Sequence, residues 1–208
     1  MRRRPPASSL LAAVVLAGVV LAACSESDGR TLPEPDPAKT TTSISAPVVP
    51  STDAIVGGPF TLLSPSIQDG GSVPVDLTCF GSGSSPDLSW TGTPEGATSL
   101  ALVVTDPDAQ GFVHWIVTGI DPSIVGFGLD GVPEGVTEGP NSAGGTGWAP
   151  PCPPKASGTH HYVFQLYAMP ADYLPTPTTD PKALAKEIAL SSLSSATLSG
   201  IVDAPAAA

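Results

Sequence analysis

Positive charge is scarce in this sequence: 8 Lys and Arg stand against 19 Asp and Glu among 208 residues, a formal net charge of -11. That deficit excludes nucleic-acid binding, which requires cations clustered against a phosphate backbone. Cysteine is scarcer, with 3 residues and no Cys-x-x-Cys pair, which argues against a thioredoxin-type redox centre. Histidine also numbers 3, and without a His-Glu-x-x-His no spacing points to a zinc hydrolase. Helical periodicity is missing from all but one segment, and no internal repeat occurs. What abounds is Pro (25) and Gly (22), together more than a fifth of the chain. Such a composition gives many turns and few long helices, and 41% hydrophobic content suffices for one β-rich domain with a tail.

The N-terminus begins with Arg2, Arg3 and Arg4, continues through an uncharged run from Ser8 to Val20, and ends in Leu21-Ala22-Ala23-Cys24. The run is short for a membrane span, and its charged start and small-residue end fit a secretion signal. It resembles a bacterial lipoprotein signal, in which the cysteine becomes the lipid-bearing first residue of the mature protein. A plain signal peptide and an uncleaved anchor are the alternatives, and both still export the domain. The expected organisation is a signal peptide over 1–23, a tether over 24–54 and a folded domain over 55–208. The tether is rich in Pro, Ser and Thr and poor in large apolar side chains, so it lacks the surface to offset its own ordering. Loss of the three signal arginines takes the net charge from -11 to -14.

With Cys24 assigned to the lipid, Cys79 and Cys152 remain as an even pair in a compartment that permits disulfides. Bonded, they close a loop that contributes about 4 kcal/mol by chain entropy; two independent thiols are the alternative. Short apolar segments alternate with turn signals: FTLLS, SVPVDLTCF, DLSW, SLALVVTD, FVHWIVTGI and HHYVFQLYAM. This rhythm predicts a sandwich of antiparallel strands. Only Asp180 to Leu193 has helical spacing, with Leu184 and Ile188 on one side and Asp180 as cap.

Strand alternation sorts the polar residues. Leu100, Leu102, Val104 and Asp106 share a face, so a carboxylate ends a buried row. His114 is expected beside Ile116, Thr118 and Ile120, with Trp115 and Val117 opposite. His160 lines up with Tyr162, Phe164, Leu166 and Ala168, whereas the adjacent His161 joins Val163, Gln165 and Tyr167. Each group also has an ordinary role: Asp106-Pro107-Asp108 opens a turn by side-chain capping, Tyr162 is core, and a histidine at a strand end is a packing residue.

The series ALVVTDPDA, FVHWIVTGI and EGPNSAGGTGWAPPCPPKASGTHHYVFQLYAM resembles the phosphatidylethanolamine-binding protein family, in its bacterial branch of Raf-kinase-inhibitor-like proteins. Several separated blocks in the right order carry the likeness, which spans about Phe60 to Met169. The chain departs from the family pattern at Gln110 (proline in the family), Gly119 (asparagine), Ala149-Pro150-Pro151, Ala156 (glycine) and His161 (arginine). The resemblance implies a two-sheet Greek-key sandwich. It also implies a pocket for an anionic small molecule or phospholipid head group at Asp106, His114, Pro153, Pro154, His160 and Tyr162, with Asp108 and Phe112 at its edge.

From the residue types, the imidazole N–H groups and the Tyr162 hydroxyl would donate to the anion while Asp106 holds one histidine. Protonation of His114 or His160 on binding would make affinity rise as pH falls through about 6 to 7. A disulfide from Cys79 to Cys152 would pre-organise the Pro-Pro wall. The reading is therefore a non-enzymatic, membrane-tethered ligand-binding lipoprotein without metal or cofactor. Its rivals are an inhibitor of a kinase or protease acting through protein contact, a metal-dependent hydrolase, and, weakest, a serine hydrolase at Ser142.

Overall fold

A computed structural model describes residues 58–207. The expected signal peptide, the Cys24 lipid site, the tether over 24–54 and the domain start at 55 lie outside the described residues. A small sheet is formed by β1 (Thr61–Leu63), β3 (Leu88–Thr91) and β6 (Gly126–Phe127), ordered β1-β3-β6. The large sheet contains β2 (Gly71–Ser72), β4 (Ser99–Asp106), β5 (Phe112–Ile120), β7 (Thr137–Glu138), β8 (Thr159–Met169) and β9 (Ser194–Asp203). Its order is β2-β9-β8-β4-β5-β7, antiparallel throughout except where β2 runs parallel to β9.

The main core joins the two sheets. Leu62, Leu88, Trp90 and Phe127 of the small sheet pack with Leu100, Leu102, Val104, Phe164, Leu166 and Leu198 of the large one. A second cluster covers the other face of the large sheet, where Ala101, Val103, Val113, Ile116, Tyr167 and Met169 meet Leu184 and Ile188 of α1 (Pro181–Ser191). Two stacked turns place Leu184 and Ile188 on one side, burying each for roughly 1.5–3 kcal/mol. Asp180 caps the helix as expected, its Oδ1 accepting from Lys182 N at 2.9 Å and Ala183 N at 3.2 Å, and Pro181 tolerates the first helical position because no N–H is needed there.

Three expectations from the sequence are corrected. SVPVDLTCF is not a strand: β2 ends at Ser72 and Val75–Leu77 form a 3-10 turn, because Pro74 has no N–H for a ladder and its carbonyl accepts from Leu77 N at 3.0 Å. The series of expected strands lacked one, β9, which follows the helix. β9 is rich in Ser and Gly and has little strand propensity of its own, but ten consecutive pairings with β8 fix it, and Ala196, Leu198 and Val202 enter the core. Gly200 is required there, for a Cβ would lie 2.7 Å from Val73 Cγ2.

The third correction concerns β5. Val104 pairs with Trp115 and Thr105 with Val113, which leaves His114 as an extra, bulged residue. A second irregularity lies between the Leu102–Val117 and Leu100–Ile120 pairs, where Gly119 takes φ +74°. Trp115, Val117 and Ile120 consequently face the main core, and Ile116 faces the helix. His114 belongs with Trp115 rather than with Ile116.

Candidate functional site

A cavity of about 420 Å³ opens at the end of β4, β5 and β8, a size suited to a small ligand. Its polar lining is Asp106, His114, His160 and Tyr162; Phe112, Ala109, Ala143, Ala149, Pro150, Pro153, Pro154 and the Cys79–Cys152 disulfide supply the rest. Asp106, His114, His160 and Tyr162 are between 1% and 5% exposed, so four polar side chains share one dry corner.

Asp106 reaches the cavity because β4 keeps its alternation to the end. One carboxylate oxygen caps the turn, accepting from Ala109 N at 3.1 Å, and the other accepts from His160 Nδ1 at 2.6 Å. The turn-opening role and the site role are thus both filled, one by each oxygen. On the far side of the ring, His160 Nε2 lies 2.9 Å from Ser157 Oγ, while Ser157 Oγ lies 2.7 Å from the Pro154 carbonyl. A carbonyl only accepts, so the hydroxyl proton goes to Pro154 and His160 Nε2 must donate. His160 thus bridges the Asp106 carboxyl group and the loop serine within the wall. The Asp106–His160–Ser157 chain has the connectivity of a hydrolase triad but runs the wrong way: the serine is an acceptor and not a nucleophile being deprotonated.

His114 is held differently. Its backbone carbonyl accepts from Ala149 N at 2.9 Å, and its Nδ1 donates to the Ala149 carbonyl at 2.7 Å, which stitches the proline-rich loop to the β5 bulge. Burial, the largest influence, pulls its pKa below the usual histidine value; the Ala149 bond and the Asp106 charge oppose that, and the His160 charge adds to it. Burial thus favours the neutral ring in the ligand-free chain. With Nδ1 spent on Ala149, Nε2 is an acceptor. The Tyr162 ring stands edge-on to His114, centroids 5.1 Å apart, and burial first, then the Asp106 charge, push the phenol well up, so it stays a donor.

The loop wall is tied at several points. Ser142 N donates to Val113 O at 2.8 Å and Ser142 Oγ accepts from Val113 N at 2.9 Å, which gives this serine a structural task. Asn141 holds the neighbouring turn through Gly147 O, Ala143 N and Gly145 N. Cys79 and Cys152 are bonded, with Cys79 N also donating to Pro151 O at 2.9 Å. Pro153 and Pro154 line the cavity where expected.

Asp108 does not line it. The strand ends at Asp106 and the chain turns, so alternation no longer applies; the Asp108 carboxylate sits on the exposed surface and accepts from His161 N and His161 Nδ1, both at 2.8 Å. Those bonds, the side-chain one foremost, lower its pKa. His161 accordingly lies on the opposite, exposed face. Two departures from the family pattern have backbone consequences: Gln110 adopts φ +59°, which proline could not, and Ala156 adopts φ +60°, which glycine would take without strain. Ser157 and the Ala149 carbonyl were not anticipated from the sequence; only the spacing of Ser157 three residues before His160, inside a Pro–Gly turn, could have signalled the former. Among the described residues no three His, Cys, Asp and Glu side chains converge as a metal-ligand set, and no helix is long and apolar enough to cross a membrane.

Comparison with known proteins agrees with this geometry. A Mycobacterium tuberculosis protein named "Putative lipoprotein LppC" is 42% identical over 173 residues, covering 82% of this chain and 81% of its own. An Aquifex aeolicus UPF0098 protein is 35% identical over 141 residues, 64% of this chain and 80% of its own. The crystal structure of Escherichia coli YbcL, described as a new member of the mammalian PEBP family, superposes with a TM-score of 0.64 at 28% identity, covering 69% of this chain and 98% of that one. The family description Phosphatidylethanolamine-binding protein matches residues 63–203, nearly the whole folded region, and with the cavity at the meeting point of the matched blocks the chain belongs to the phosphatidylethanolamine-binding protein family.

Proposed function

We propose that the cavity is a non-enzymatic binding site for an anionic group, a phosphate-type small molecule or phospholipid head group, carried by a lipid-anchored domain on the outer side of the cell membrane. One observation carries the reading: both oxygens of the buried Asp106 are engaged, by Ala109 N and His160 Nδ1, so a hollow lined by Tyr162 and His114 can admit an anion without meeting a bare carboxylate. The reversed serine–histidine polarity supports binding over acyl transfer at that serine. The anchor is supported by the Leu21-Ala22-Ala23-Cys24 ending and by the likeness to LppC, a relative named as a putative lipoprotein.

Titration of the purified chain with inorganic phosphate by calorimetry tests the site. Binding should persist in His161→Ala and vanish in His160→Ala; binding that survives both, or is absent from the unaltered chain, removes the proposal. For the anchor, detergent phase partitioning should move the protein to the aqueous phase on Cys24→Ser. Inhibition of a kinase or protease through the rim is the second reading, favoured by Phe80, which is 47% exposed beside the cavity-lining Cys79. A partner lost on Phe80→Ser with phosphate binding retained would select it.

A further inference from the structure

One wall of the cavity is hardly held by its backbone. Residues 150–154 read Pro-Pro-Cys-Pro-Pro, so they share a single N–H, that of Cys152, and it meets no acceptor among the described residues. The wall is anchored where it begins, by Trp148 Nε1 to Gly83 O at 3.1 Å and Ala149 N to His114 O at 2.9 Å. Ala156 anchors its far end, donating to Pro205 O at 2.9 Å. Between these points the only hydrogen bond to the body of the domain, among the described residues, runs from Cys79 N to Pro151 O at 2.9 Å. The Cys79–Cys152 disulfide is the second fastening. Both half-cystines are exposed, and both line the cavity. Neither lies in a strand or in a core cluster: Cys79 follows the 3-10 turn Val75–Leu77, and Cys152 precedes β8. A small solute thus reaches this bond without any opening of the sheets.

We infer that this disulfide is a thiol-exchange site at the cavity mouth, open to low-molecular-weight thiols while the protein stays folded. It requires no guest in the cavity and so stands apart from the anion reading. In the first step a thiolate attacks one protein sulfur; a mixed disulfide forms, the Cys79–Cys152 bond breaks, and the other cysteine leaves as a thiolate. A second small thiolate then attacks the sulfur of the first, which releases the remaining cysteine and forms the small-molecule disulfide. Two electrons pass from the two small thiols to the protein, and each cysteine thiolate takes a proton from water. Exposure separates such a bond from one sealed in a core, which a thiolate reaches only after unfolding. Reduction leaves the middle of the wall tied by the Cys79 N–H alone. Its four prolines have no N–H with which to form a replacement bond, so the wall is released while the two-sheet core, to which neither cysteine contributes, stays packed.

The test incubates the unaltered full chain with excess reduced glutathione in native buffer, quenches with iodoacetamide, and follows the peptides of Cys79 and Cys152 by mass spectrometry. Reduction of the folded chain should proceed within about tenfold of its rate in the urea-unfolded chain. The folded-state rate should also stay flat as urea is added below the unfolding midpoint. A slower rate than that, or one that climbs with urea in step with the unfolded fraction, overturns the inference, because the bond is then reached only through unfolding. Hydrogen exchange on the reduced chain reads the consequence. The Cys79 amide should lose protection as its Pro151 acceptor moves away, while the amides of β4 and β8 keep theirs. Protection retained at Cys79 overturns the release of the wall, and protection lost across both strands overturns exchange in the folded state.

Discussion

Strands β8 and β5 each deliver one imidazole to the same cavity, and they do it by different means. β8 is paired on both sides without interruption, by ten residues to β9 and seven to β4, so every second side chain keeps its face and His160 is found by counting back along the buried row. β5 is broken by two bulges, and His114 reaches the cavity because it is the unpaired residue of one of them. The two rings differ in their partners for a related reason. His160, at the end of a regular strand, meets the carboxylate that ends the neighbouring strand; His114, pushed out of the ladder, meets a loop carbonyl. One faces a carboxylate and the other a carbonyl, so two histidines in one site have different surroundings.

Breaking the regular side should have the largest effect. Asp106→Ala leaves the buried His160 Nδ1 without its partner and removes the turn cap, and should cost about 3–5 kcal/mol in urea unfolding, whereas Asp108→Ala, on the exposed surface two residues later, should leave the midpoint unchanged. Parallel losses in the two variants would contradict the assignment of faces. Next, Cys79→Ser with Cys152→Ser releases a bond across a sequence separation of 73 and should cost about 4 kcal/mol, with hydrogen exchange rising first in the 149–154 wall. Uniform loss of protection across the sheets would mean that the bond serves the core and not the wall.

On the irregular side, Gly119→Ala places a side chain at φ +74°, where open space exists but the backbone conformation is strained, and should cost about 1 kcal/mol. The converse change, Ala156→Gly at φ +60°, should relieve a similar strain and raise the unfolding midpoint slightly. The smallest effect is the pH response of His114. Its folded pKa is depressed by burial below the usual 6.5, so its contribution to stability is present above that pH and is lost as pH falls through the folded value. Thermal melts of the ligand-free chain between pH 7.5 and 5 should show this decline, and His114→Phe should flatten it; an unchanged slope would place the sensitivity elsewhere. Ligand affinity should move with the opposite sign, strengthening on acidification.

Much of the site was legible because its residues sit on simple devices. The convergence of Asp106, His160 and Tyr162 comes from two adjacent regular strands, and the helix over 181–191 from a cap and an i, i+4 pair. β9 was not legible, since a run of Ser, Ala, Thr and Gly becomes a strand only when a partner of ten residues is waiting beside it. Asp108, set at the pocket's edge by the family resemblance alone, lies beyond the end of β4 on the exposed surface, where it pairs with His161. On β5, Trp115, Ile116 and Val117 were given the wrong faces relative to His114, although Gly119 inside an apolar run was the visible trace of one bulge.

By itself, the sequence determined which side chains could be buried, where the chain must turn, and the order in which the chemical groups arrive, for these depend on composition, proline and glycine placement, and period. Tertiary structure alone decided which partner holds Nδ1 of each of these two histidines. That choice depends on what lies across from the ring, the Asp106 carboxylate in one case and the Ala149 carbonyl in the other, and those partners are 54 and 35 residues away along the chain. No local pattern encodes a hydrogen bond of that reach, because its donor and acceptor meet only after the sheet and the loop have packed.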